Sequence, residues 1–172
     1  MFTLILISFL IFVIYNAVAI AKFGIPNSLS DTFYLFGGSP KGYIFTLMMF
    51  AIGFTLLPCW LELSEGKWYQ FFSFFACASC VGVGAAPAFK QQDSLWHTGF
   101  ALCCAVCSLL WIFLFSWGLS LICLLFTIMV IYGWMDSELD EKAFKRCRTY
   151  RLELIAFIVT YAVLLSKTID KI

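Results

Sequence analysis

The sequence predicts an all-α fold: a polytopic transmembrane helix bundle of six spans in a single integral membrane domain over residues 1–172. Three observations predict it. Nearly every charge lies between long apolar stretches and almost none within them. The stretches cover residues 2–20, 43–61, 68–88, 95–115, 119–135 and 150–166, 17 to 21 residues each, close to the ~20 that a helix needs to cross a bilayer core. The composition is 63% hydrophobic and only 12% charged, with mean hydropathy +0.96, whereas soluble domains carry about 25% charged residues. Finally, Trp60, Trp68, Trp96, Trp117 and Trp134 fall at the ends of these stretches, where indole prefers the headgroup boundary; only Trp111 lies well inside one. In lipid the backbone must satisfy its own hydrogen bonds, so such stretches are helices.

The first stretch ends in Ala17-Val18-Ala19, which imitates a signal-peptidase site. A signal peptide also has a positive segment before its apolar core. Met1-Phe2-Thr3-Leu4 has none, so 2–20 is expected to be a retained helix. In the following connection Pro26 blocks helix continuation. Ser28 or Ser30 is a suitable cap for a short helix over 32–36, which Gly37-Gly38 would end, and such a segment suits the membrane interface. Pro58 is expected to kink or end the second span. Residues 62–67 form a short turn.

The third span holds the clearest pattern of small residues. Ala78, Gly82 and Ala86 recur at intervals of four, and Gly84 follows Cys80 by the same interval. Small-xxx-small stripes let helix backbones approach closely, so this helix is expected at the centre of the bundle or at a subunit contact. Asp93 or Ser94 is a good N-cap for the fourth span. The connection 116–120 is so short that spans four and five must be antiparallel neighbours. The fifth connection begins acidic (Asp136, Glu138, Asp140, Glu141) and turns basic (Lys142, Lys145, Arg146, Arg148, Arg151). That order suits a helix dipole, so a helix is expected from about Glu138 into span six. Its basic half is also suited to anionic lipid.

Loops facing the cytoplasm are enriched in Lys and Arg. Placing 136–151 inside puts Lys22, Lys41 and Lys90 inside as well, eight basic residues in all, against Lys67, Lys167 and Lys171 outside. Both termini are then expected outside, in a bacterial cytoplasmic membrane. The formal net charge of +1 predicts no attraction to nucleic acid. The expected partners are membrane lipid, a second copy of the chain, or a soluble protein docking on 136–151.

Candidate chemistry is sparse. Eight cysteines include two CxxC pairs, Cys77/Cys80 and Cys104/Cys107, with Cys103 beside the second. Reflection about the third connection sets Cys103 and Cys104 level with Cys77 and Cys80. Four thiolates make a tetrahedral zinc site, so Cys77, Cys80, Cys103, Cys104 and Cys107 are candidate metal or redox residues. Against this, thiolates are costly in hydrocarbon and nothing basic is near to lower their pKa, whereas neutral cysteine packs well as a small apolar residue. Cys147 stands alone in the cytoplasmic connection.

Asn16, Asn27, Asp31, Asp93, His97 and Glu153 gather towards the cytoplasmic edge and are the candidate ligand-binding residues, with Arg151 or Lys22 available to neutralise Glu153. None is the mid-membrane carboxylate expected of a proton-coupled transporter. The sequence contains no phosphate loop, nucleophile elbow or HExxH motif. No catalytic residue and no cofactor is expected, and the composition leans away from an enzyme. The readings left open are a non-enzymatic membrane protein that acts by helix association (as a channel-like, sensor or effector component), lipid or small-molecule binding at the cytoplasmic polar cluster, and an intramembrane cysteine site.

The segments Phe23-Gly24-Ile25-Pro26-Asn27-Ser28-Leu29-Ser30 and Val83-Gly84-Ala85-Ala86-Pro87-Ala88-Phe89, followed by His97, resemble small polytopic membrane proteins of gut bacteria and their phages. The resemblance covers mainly the first four spans. It implies six helices and implies no activity.

Overall fold

The computed structural model describes residues 1–89, 95–116, 128 and 141–170, with the backbone alone for 88, 89 and 141–147. All regular structure among the described residues is helical: α1 (Phe2–Phe23), α2 (Thr32–Leu35), α3 (Tyr43–Leu63), α4 (Gln70–Ala85), α5 (Leu95–Phe115) and α6 (Glu141–Ile169). Four are long and apolar enough to cross a membrane: α1, α3, α5, and α6 over Arg148–Ile169.

In α1 the buried residues Ile5, Ser8, Phe12, Tyr15, Asn16 and Ala19 recur at helical spacing, so they share one face. Leu10, Ile14 and Val18 lie on the exposed side, as suits a helix whose other solvent is lipid. The helix stops at Gly24, whose φ of 75° suits a residue without Cβ and whose N–H donates to Ile20 O at 2.9 Å. Pro58 does not end the next helix; it sits inside α3, which continues to Leu63.

The third expected span is shorter than the sequence suggested. Residues 68–88 resolve into the 16-residue helix α4 and a single 3-10 turn, Ala86–Phe89. At 1.5 Å per residue α4 is about 24 Å long, below the ~30 Å of a hydrocarbon core. Pro87 marks where the α-helical ladder gives way: it has no N–H to donate back into the helix, although Ala86 before it keeps helical dihedrals, φ −54° and ψ −43°. The fifth expected span (119–135), with Trp117 and Trp134, lies outside the described residues apart from residue 128.

Helix α4 lies between α3 and α5, while α1 packs on α3 and α6. Contacts at the helix ends fix the alternation. Cys59 Sγ lies 3.6 Å from Met1 O, which sets the start of α1 beside the end of α3. Thr46 Oγ1 donates to Gly84 O at 2.7 Å, pairing the start of α3 with the end of α4. Tyr150 Oη donates to Asn16 Oδ1 at 2.7 Å, pairing the start of the apolar part of α6 with the end of α1. Residues 24–42 therefore lie at the same end of the bundle as the end of α4 and the start of that part of α6.

Glycines set the close approach of α3, α4 and α5. A Cβ on Gly84 would meet Met49 Cβ at 2.6 Å, one on Gly82 the Phe100 ring at 2.7 Å, and one on Gly53 the Val81 Cγ2 at 2.7 Å. Ala86 is buried, whereas Ala78 faces an open groove between α4 and α5. On the other side of the bundle, Phe12 stacks on Phe157 with centroids 4.8 Å apart, and Phe9 meets Tyr161 edge-on at 5.2 Å. Trp68 and Trp96 are exposed, but Trp60 is buried. It turns inward to meet the fully buried Trp111 edge to face, with centroids 5.3 Å apart, instead of facing a headgroup layer.

Candidate binding site at the end of the bundle

The loop after α1 is built from local polar bonds. Ser28 Oγ accepts the Asp31 N–H at 3.1 Å and lies 3.1 Å from Ser30 Oγ. Ser28 thus closes the turn that leads into α2, in the manner typical of serine near a helix start. Thr32 Oγ1 donates to Leu29 O and shares a hydrogen bond with the Tyr15 hydroxyl. Asn27 Nδ2 donates to Asp31 Oδ2 at 2.8 Å.

Three bonds then tie this loop and the end of α1 to α6. Tyr150 N–H donates to Asn27 O at 3.0 Å. The Tyr150 hydroxyl reaches Asn16, whose Nδ2 donates to Phe12 O at 2.8 Å. Leu29 N–H donates to Glu153 Oε2 at 2.7 Å. Further along the same interface the Ser8 and Tyr161 hydroxyls share a buried hydrogen bond at 2.7 Å. Buried polar groups need partners, and here each helix supplies the other's.

Four of the six candidate polar residues, Asn16, Asn27, Asp31 and Glu153, therefore belong to one network. Asn27 and Asp31 largely satisfy each other at the surface. His97 is partly buried in the first turn of α5, and Asp93 lies outside the described residues. Lys22, expected near Glu153, instead lies over the Phe23 and Phe36 rings, 5.0 and 5.5 Å from their centroids. Among the described residues, no basic nitrogen lies within ion-pairing distance of the Glu153 carboxylate.

Glu153 is also part of the wall of a cavity of about 620 Å³ between α3, α4, α5 and α6. The volume falls within the ~300–1,000 Å³ typical of small-molecule sites. Along α3 the wall runs from Met49 to Trp60, about 17 Å at the helical rise. Most of the wall is apolar. Its hydroxyls are engaged within their own segments: Thr160 Oγ1 donates to Ala156 O at 2.8 Å, Ser108 Oγ to Cys104 O at 2.7 Å, and Ser30 Oγ bonds Ser28. Glu153 is the single charged side chain among the described lining residues.

The cysteines are distributed differently. Cys80 Sγ donates to Met49 O at 3.6 Å, and Cys103 lies 3.9 Å from Cys107 on the same helix. Cys77 is buried. Among the described residues, no three His, Cys, Asp or Glu side chains converge as a ligand set for a metal. Cys77, Cys80 and Cys104 line the cavity as small apolar groups.

Sequence reasoning missed Tyr150, Tyr161, Ser8 and Thr32, which carry much of the inter-helix bonding. The available signal was a tyrosine inside an apolar helix, since a buried phenol needs a partner. It missed Trp60 as a cavity residue because an indole at a span end reads as an interface anchor.

The chain matches no protein-family model, no curated protein and no solved structure.

Proposed function

We propose that this is an integral membrane protein of six spans that binds an amphipathic small molecule in the α3–α4–α5–α6 cavity, with the polar end of the ligand at Glu153. The observation that carries the reading is the cavity itself: about 620 Å³, walled mainly by apolar side chains, with one carboxylate in its lining. The Lys and Arg distribution supports placing the Glu153 end at the cytoplasmic face. Glycines 82 and 84 are engaged inside the chain by Phe100 and Met49, so that stripe lends no weight to a subunit contact through them. Binding is non-enzymatic on this reading. Among the described lining residues no nucleophile–base pair is seen, which favours capture, sensing or delivery of a lipid-like molecule over its conversion.

The test is saturable quenching of Trp60 fluorescence by a chain-brominated amphiphile, with the protein in lipid nanodiscs. The quenched component is expected to vanish in Trp60→Phe and to need a higher probe concentration when Ala105→Phe and Ala156→Phe fill the cavity together. Quenching that follows bilayer partitioning alone, unchanged by those substitutions, would reject the reading.

A further inference from the structure

We infer that the cavity selects an amphiphilic cation, a single-chain molecule with an ammonium-type head, over neutral or anionic amphiphiles. This rests on the cavity being a ligand site and names the class it takes. The apolar wall reaches from Glu153 and Ser30 at one end to Trp60 and Phe113 towards the other, long enough to take an extended alkyl chain. At the polar end the Glu153 carboxylate keeps one backbone donor, Leu29 N–H on Oε2. A carboxylate accepts several hydrogen bonds, and Oε1 has no partner among the described residues.

The neighbours of Glu153 do not fill that role. Lys22 is committed to two aromatic rings, Ser30 is bonded to Ser28, and no basic nitrogen of the described residues pairs with the carboxylate. A partly buried carboxylate with no basic partner among the described residues is an expensive group to keep, and a bound cation offsets that cost. The same charge repels a fatty-acid carboxylate or a phosphate head. It gives a neutral alcohol no more than a hydrogen bond. The loop 24–42 and α6 hold the carboxyl group in place through Tyr150 N–H on Asn27 O and the Tyr150–Asn16 bond, so it is positioned before a ligand arrives.

The experiment compares three terminally brominated probes of equal chain length in zwitterionic nanodiscs: dodecyltrimethylammonium, dodecanol and dodecanoate. Trp60 quenching is read in wild type, Glu153→Gln and Glu153→Asp. Gln keeps the acceptor for Leu29 N–H and removes the charge, and far-ultraviolet circular dichroism confirms folding. Comparison of variants in one bilayer cancels probe partitioning. The wild type is expected to bind the cation about tenfold more tightly than the alcohol, between the effects of exposed and buried ion pairs. Glu153→Gln should remove most of that preference and leave alcohol binding unchanged, while Glu153→Asp retains part of it. An unchanged cation preference in Glu153→Gln, or tighter binding of dodecanoate than of the ammonium probe by wild type, overturns the cation assignment while leaving a cavity that binds amphiphiles. Absence of saturable quenching by any of the three probes overturns both.

Discussion

Replacing Tyr150 by phenylalanine removes one oxygen from the contact between α1 and α6. Tyr150 is fully buried and Asn16 is 5% exposed, and their bond of 2.7 Å is the one partner of Asn16 Oδ1 among the described residues. The variant keeps the ring and its packing, so its cost is that of an orphaned buried acceptor. In water-soluble proteins this is about 1–3 kcal/mol. Hydrogen bonds between membrane helices measure less, averaging about 0.6 and reaching about 1.7 kcal/mol, because the unfolded chain in lipid also finds partners. Tyr150→Phe should therefore destabilise the protein by about 1–1.5 kcal/mol. The assay is reversible unfolding in mixed micelles of increasing sodium dodecyl sulfate content, read by tryptophan fluorescence. A cycle with Asn16→Leu isolates the pair, with an expected coupling of about 0.6–1.7 kcal/mol. Effects that add to within about 0.3 kcal/mol would refute the claim that this bond joins the two helices.

Other outcomes follow from the same geometry. Gly84→Ala should cost about 1–3 kcal/mol, because the new Cβ meets Met49 Cβ at 2.6 Å, close to the α3 backbone; Gly82→Ala meets the Phe100 ring, which is 38% exposed and able to swing away, so it should cost less in the same unfolding assay. Ser8→Ala orphans the fully engaged Tyr161 hydroxyl and should destabilise by about 1 kcal/mol, an effect that a further Tyr161→Phe change should largely relieve. Purified protein should carry no stoichiometric zinc by elemental analysis, since no three His, Cys, Asp or Glu side chains converge among the described residues. Single cysteines placed at Ser39 and Glu65, in a background without native cysteine, should react with an impermeant maleimide from opposite faces of the membrane, with Ser39 on the cytoplasmic face.

The long apolar helices were legible because period and length are set by the bilayer alone. Residues 2–20, 43–61 and 95–115 reappear as α1, α3 and α5 with ends moved by a few residues at most. The third stretch was read as longer than its helix, because an apolar run does not show where the turn before Gln70 ends and where the 3-10 turn holding Pro87 begins. In the polar network, Asn16 and Glu153 stood out because each is costly in lipid without a partner. Their partners did not. Leu29 contributes a backbone amide, which no residue type announces, and Tyr150 reads as an interfacial aromatic until α1 is placed beside it. The cavity was invisible for a related reason: its wall is made of ordinary core residues from four helices, and only their separation in space makes it a site.

The most direct measurement is the mass of the intact protein released from nanodiscs in the presence of dodecyltrimethylammonium. One adduct per chain is expected for wild type, reduced in Glu153→Gln and lost when Ala105→Phe and Ala156→Phe are combined. Adducts of no fixed number, indifferent to all three substitutions, would contradict a built ligand site between α3, α4, α5 and α6.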